Sequence, residues 1–196
     1  MSERPFSEKS IVLLVVWLSA FGMPVMLSAT NVAIPIVAHQ FSLGANQIAW
    51  IPMSYLMASV MFVLIFGKLA DVFGKKRIFL TGLLVLCFSS IFVAFANSGA
   101  FLILGRFLQG VGAAMLYATQ TAMVSSVYPA KERGKAIGIT LSAVYLGLAA
   151  GPTLGGIVME YLSWRLNFVL HLPLTLIILV LLHKVPNESE SRLVEE

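Results

Sequence analysis

The sequence predicts an all-α membrane protein with six transmembrane helices and both termini cytoplasmic, and three observations lead there. Of its 196 residues 59% are apolar and 11% charged, with a mean hydropathy of +0.92; a soluble domain carries about 25% charged residues. So few polar side chains cannot cover a water-facing surface, which argues against a soluble enzyme, a nucleic-acid-binding domain or a disordered chain. Six apolar runs approach the ~20 residues that a spanning helix needs, and the basic residues gather on one side of them.

The runs cover about 11–37, 49–69, 78–96, 101–128, 136–161 and 168–182. They define a bundle over 11–183, a cytoplasmic segment over 1–10, and a tail or the start of a linker over 184–196. The loops between them are short and leave no room for a separate soluble domain.

Arg4 and Lys9 precede the first run, as in a signal peptide, but at about 26 residues the run is too long for a 7–15-residue signal core and is read as a retained helix. It holds Ser28 and Asn31 one turn apart, between Pro24 and Pro35. Proline at membrane depth frees backbone carbonyls and is found where helices bend or line cavities. Pro52 and Tyr55 give the second run a weaker version of the same signal, and helix packing accounts for these residues equally well. The third run is apolar nearly all round. It contains Cys87, the single cysteine, which can form no internal disulfide and is expected as a packed or lipid-facing thiol.

In the fourth run Arg106, Gln109, Tyr117 and Gln120 fall within about 80° of one another on a helix. Arg106 to Gln120 covers about 21 Å of a hydrocarbon layer about 30 Å thick. Satisfying neighbouring helices would explain each group separately; a full-length stripe headed by an intramembrane arginine is read as lining a water-filled pathway. The fifth run spaces Gly147, Gly151 and Gly155 four apart on one face, with Pro152 beside them. This pattern lets two helix backbones approach closely. The sixth run is apolar nearly all round.

The formal charge of +4 has a topological explanation. Eleven of the 13 basic residues (Arg4, Lys9, Lys68, Lys75, Lys76, Arg77, Lys131, Arg133, Lys135, Lys184 and Arg192) fall on one side, Arg165 lies in a loop opposite, and Arg106 is inside a span. By the positive-inside rule the basic side is cytoplasmic. The expected location is the cell membrane, with no nucleic-acid partner.

Four motifs then resemble the major facilitator superfamily. GKLADVFGKKR, which places Gly67, Asp71, Gly74, Lys75, Lys76 and Arg77 in one loop, resembles its signature G-x-L-[AG]-D-x-x-G-[RK]-[RK]. GRFLQGVGAA is similar to the fourth-helix motif R-x-x-Q-G-x-G. Gly138, Gly147, Gly151, Pro152, Gly155 and Gly156 match the fifth-helix motif of proton-coupled exporters. WRLNFVLHLP is similar to the W-R-W-x-F-x-x-N-x-P segment of the fourteen-helix drug/proton antiporters.

The resemblance runs from about residue 20 to 175 and implies one major-facilitator half bundle. It further implies alternating access, a small lipophilic substrate, the proton as coupling ion and no other cofactor. Asp71 would pair with Lys75 or Arg77 in a gating loop, and Arg106 would influence protonation of a nearby acid.

Two departures stand out. SATNVAIP resembles L-D-x-T-x-x-N-V-A-L-P with Met26 in place of the acid and Ser28 in place of the threonine, and His171 replaces the asparagine of the sixth-helix segment. The apolar part of every span lacks Asp and Glu, which puts proton coupling through the first helix in doubt. A histidine titrates near neutrality, but His171 lies near the end of its span and reads as a neutral capping or packing group.

Transporters of this superfamily pair two six-helix bundles around a midplane site. Three readings follow: the N-terminal half of an exporter that needs a C-terminal bundle, a half-size transporter acting with a second copy, or a non-transporting regulator of a full-length relative. Catalytic nucleophiles, metal-ligand clusters and phosphate loops are not recognisable, so the sequence reads as neither an enzyme nor a metalloprotein.

Overall fold

A computed structural model describes residues 8–185. Arg4, Arg192 and most of the tail lie outside the described residues. All regular structure among the described residues is helical: α1 (Glu8–Gln40), α2 (Ala45–Phe73), α3 (Lys75–Ala94), α4 (Gly99–Val127), α5 (Ala130–Tyr161), a short α6 (Trp164–Asn167) and α7 (Leu172–Leu182). Six helical stretches are long and apolar enough to cross a membrane; the sixth runs over Trp164–Leu182 through α6, a turn and α7.

Local chemistry sets the boundaries. Gly74 ends α2 and starts α3 as a one-residue joint at φ 92° and ψ 137°, a conformation open in practice only to glycine. This gives a backbone reason for one motif glycine. The N–H of Gly44 before α2 donates to Gln47 Oε1 at 3.1 Å, and Ser98 Oγ accepts from Phe101 N–H at 3.3 Å at the start of α4. Pro173 sits in the first turn of α7, where its missing N–H costs nothing. Pro24 and Pro35 leave α1 unbroken.

The main packing pairs are α1 with α5, α2 with α4 and α3 with α4, followed by α1 with α4 and α1 with α7. Exchanging α1, α2 and α3 for α4, α5 and α7 maps this set onto itself, the signature of two three-helix repeats. The inner helices are α1 and α4, and α2 and α5 are the most exposed.

The glycine face of α5 makes the first of these contacts. A methyl group built on Gly147 would stand 2.5 Å from the Phe21 carbonyl oxygen, one on Gly151 2.5 Å from Ser28 Cβ, and one on Gly155 2.8 Å from Ala29 Cβ. Gly110 makes the equivalent approach of α4 to α2, against the Tyr55 carbonyl.

Two apolar blocks fill the interior. One runs through Val12, Val16, Met23, Phe79, Leu86, Leu116, Val124 and Ile178, the other through Val37, Ile51, Val93, Leu102 and Phe168. On α1, α3, α4 and the sixth span alike, a short polar level separates them.

Candidate functional site

That level centres on Arg106, which is fully buried. Its Nε donates to the Ile51 carbonyl at 3.3 Å and its Nη1 to Gln109 Oε1 at 2.8 Å. The Tyr55 ring lies 4.5 Å from the guanidinium carbon and the Phe168 ring 5.9 Å, both within cation–π reach. Gln109 Nε2 continues the network, donating to Ser90 Oγ at 2.7 Å and facing Met26 Sδ at 3.7 Å. Ser90 Oγ lies 3.4 Å from His171 Nε2. Side chains from α1, α2, α3, α4 and the sixth span thus meet around one cation.

Three buried polar atoms here and close by, Arg106 Nη2, Asn167 Oδ1 and His171 Nδ1, have no hydrogen-bond partner among the described residues. Burying such groups without partners costs free energy, and two of the three, on Arg106 and His171, belong to side chains of this one network.

The expected stripe on α4 divides. Arg106, Gln109 and Gln120 are buried against other helices, whereas Tyr117 is 39% exposed, so the four do not form one continuous water-facing surface. Gln120 Nε2 donates to Ser19 Oγ at 3.1 Å and faces Met23 Sδ at 3.9 Å, repeating toward the basic end the serine-and-sulfur pairing of Gln109. Tyr117 remains linked to the site because its hydroxyl lies 3.4 Å from that of Tyr55.

On α1, Ser28 Oγ donates to the Leu148 carbonyl at 3.0 Å, joining α1 to α5, and Asn31 is exposed. In the fifth-helix motif Gly147, Gly151 and Gly155 form the seam with α1. Gly138 and Gly156 face open space and Pro152 is exposed, so they take no part in that contact. The expected gating loop is helical except at Gly74, because α2 and α3 each run to that one joint: Gly67 and Asp71 lie in α2, and Lys75, Lys76 and Arg77 in α3. Gly67 has open space beside it, Asp71 and Arg77 are exposed, and Lys76 Nζ donates to the Val185 carbonyl.

His171 departs from the capping alternative: it stands at the N-cap of α7 without a side-chain capping bond, and its ring turns inward to Ser90. Sequence reasoning also missed Ser90. The available signal was the Ser89–Ser90 pair within an otherwise apolar span, since a hydroxyl at membrane depth needs a partner. Arg165, read only as a loop charge, donates to the carbonyls of Ala94 (3.0 Å) and Ala96 (2.6 Å) at the end of α3.

A six-helix membrane bundle with paired three-helix repeats and a polar centre at Arg106 has the architecture of one half of a secondary transporter. The chain belongs to the Major Facilitator Superfamily, whose family model matches residues 16–196. It is 35% identical to the riboflavin transporter RibZ of Clostridioides difficile, over 87% of this chain and 37% of that protein. It is 36% identical to the multidrug resistance protein Stp of Mycobacterium tuberculosis, over 77% of this chain and 28% of Stp. A third relative, the uncharacterised transporter YebQ of Escherichia coli, is 35% identical over 82% of this chain and 36% of its own length. The matches therefore span between 28% and 37% of the length of these three relatives.

Proposed function

We propose that the chain forms the N-terminal six-helix half of a secondary active transporter that exports small lipophilic molecules in exchange for protons by alternating access. The reading rests on one observation: the Arg106 network, an expensive polar centre held between apolar blocks in a transporter-family bundle. Export is supported by the likeness to Stp, a multidrug resistance protein, and by the close α1–α5 seam that the exporter-type glycines build.

In this reading the chain sits in the cell membrane with both termini cytoplasmic. Lys9, Lys68, Lys75, Lys76, Arg77, Lys131, Arg133, Lys135 and Lys184 all fall at the same end of the bundle, in keeping with the positive-inside rule. The partner is a second helix bundle, which meets the exposed faces of α2 and α5. The protonated carboxylate is assigned to that bundle, since among residues 9–185 the carboxylates, Asp71, Glu132 and Glu160, are exposed near helix ends.

The test is reconstitution into liposomes under an imposed pH gradient. The 196-residue chain is compared alone and grafted in place of the matching residues of Stp. Substrate flux and proton counterflow are expected from the graft only. Flux from the chain alone would support a transporter built from two copies, and a graft that folds but carries nothing would overturn the reading.

A further inference from the structure

Among residues 9–185 Arg106 is the only Lys, Arg, Asp or Glu that is buried. The groups it meets are neutral: the Ile51 carbonyl, Gln109, and the rings of Tyr55 and Phe168. At the level of Gln109 on α1 stands the thioether of Met26, which carries no charge. Arginine does not shed its proton under physiological conditions, and an isolated buried charge costs several kcal/mol unless an opposite charge meets it. The site is one negative charge short of electrostatic completion.

The geometry also says where that charge would sit and what would carry it. Nη2 is buried and has no hydrogen-bond partner among the described residues, and a guanidinium nitrogen of this kind suits a carboxylate oxygen. Tyr55 and Phe168 present aromatic faces to the same guanidinium, favouring an apolar or aromatic body over a strongly hydrated inorganic ion. Tyr55 is buried and Tyr117 partly exposed, with their hydroxyls 3.4 Å apart, so this pair leads from the bundle surface to the guanidinium and must separate to admit a ligand.

We infer that Arg106 binds the carboxylate of a small, aromatic or lipophilic organic anion, entering past Tyr55 and Tyr117. The inference rests on the transporter reading and deepens it by naming the charge class of the cargo.

The test is equilibrium binding of radiolabelled benzoate to the 196-residue chain in lipid nanodiscs, with benzamide as a neutral competitor and chloride as an inorganic one. Saturable benzoate binding is expected, unaffected by equimolar benzamide and displaced by chloride only at far higher concentration. Arg106→Gln should weaken it at least tenfold. Met26→Asp, which supplies a carboxylate while keeping the arginine, should bind benzoate at least tenfold more weakly than Met26→Asn, a neutral variant of the same shape.

Circular dichroism and gel filtration establish which variants fold, and the Met26 pair decides the matter if Arg106→Gln does not. Benzoate binding that survives the added carboxylate, or no benzoate binding at all, would overturn the inference. So would equal displacement by chloride, which would make the occupant an inorganic ion. Failure here leaves flux through the Stp graft untouched, whereas loss of flux with benzoate still bound would count against the transporter reading alone.

Discussion

The amide of Gln109 on α4 bridges three helices: its oxygen accepts from Arg106 and its nitrogen donates to Ser90 of α3 while facing the sulfur of Met26 on α1. Removing this one group disconnects the cation from α3. Gln109→Leu should therefore cost about 1–3 kcal/mol, the range for leaving buried polar partners unsatisfied. It should also reduce flux through an assembled transporter at least tenfold. Gln120→Leu, which removes one hydrogen bond to the Ser19 hydroxyl, should cost less. Thermal denaturation in detergent of the two variants side by side checks the order.

The glycines of α5 separate into two classes. Gly151→Leu must force α1 and α5 apart, since even a methyl group there meets Ser28 and the Val25 carbonyl. Overpacking of this kind costs about 1–3 kcal/mol or more. Gly138→Ala and Gly156→Ala face open space within α5 and should be neutral to stabilising by up to about 1 kcal/mol, since Ala is the better helix former. Melting temperatures of the three variants test the division, and equal losses at Gly138 and Gly151 would refute it.

Gly74 and Gly67 belong to the same motif with different physical demands, one at the α2–α3 joint and the other inside α2. Gly74→Ala should cost about 1–3 kcal/mol, because the positive φ at the α2–α3 joint strains any side chain. Gly67→Ala should be neutral to stabilising by up to about 1 kcal/mol, as a methyl group there meets nothing within 4 Å and the position is inside α2. Helicity and melting of the purified variants distinguish strain from a purely functional role.

Arg165→Met should lower stability by about 1.5–3 kcal/mol, the range for hydrogen bonds to a charged group, because it leaves the Ala94 and Ala96 carbonyls without their donor. Glu132→Gln, at the exposed 3.8 Å pair with Lys9, should change stability by less than about 1 kcal/mol, and the difference should shrink further in salt. Melting at low and high ionic strength separates the two cases.

The spans were legible because length and hydropathy alone define a membrane crossing, and the α5 seam because small residues every fourth position have one main use. Arg106 was legible for its cost. Gln109 and Tyr55 were marked by polarity at membrane depth, but their meeting with Ser90 and His171 was not, since Ser90 sits in a greasy run and His171 near a span end. Only packing brings them together. The stripe on α4 misled for a related reason. An arc of about 80° is wide enough to touch two different neighbours, so Tyr117 turns outward while Gln109 turns in. Periodicity gives a direction from the helix axis but not what waits there.

The exchange of partners between the two repeats bears on how the chain is made. The principal partner of α1 is α5, and that of α2 is α4, with few contacts between α1 and α2. During synthesis the first helices enter the bilayer before their true neighbours exist, and α1 waits for nearly a hundred further residues. Ser28 and the α1 backbone stay unsealed until the glycines of α5 arrive. The α2–α4 and α3–α4 contacts need nothing beyond residue 127, so a ribosome stalled before residue 151 would hold a partial bundle on which α1 is not yet sealed by α5.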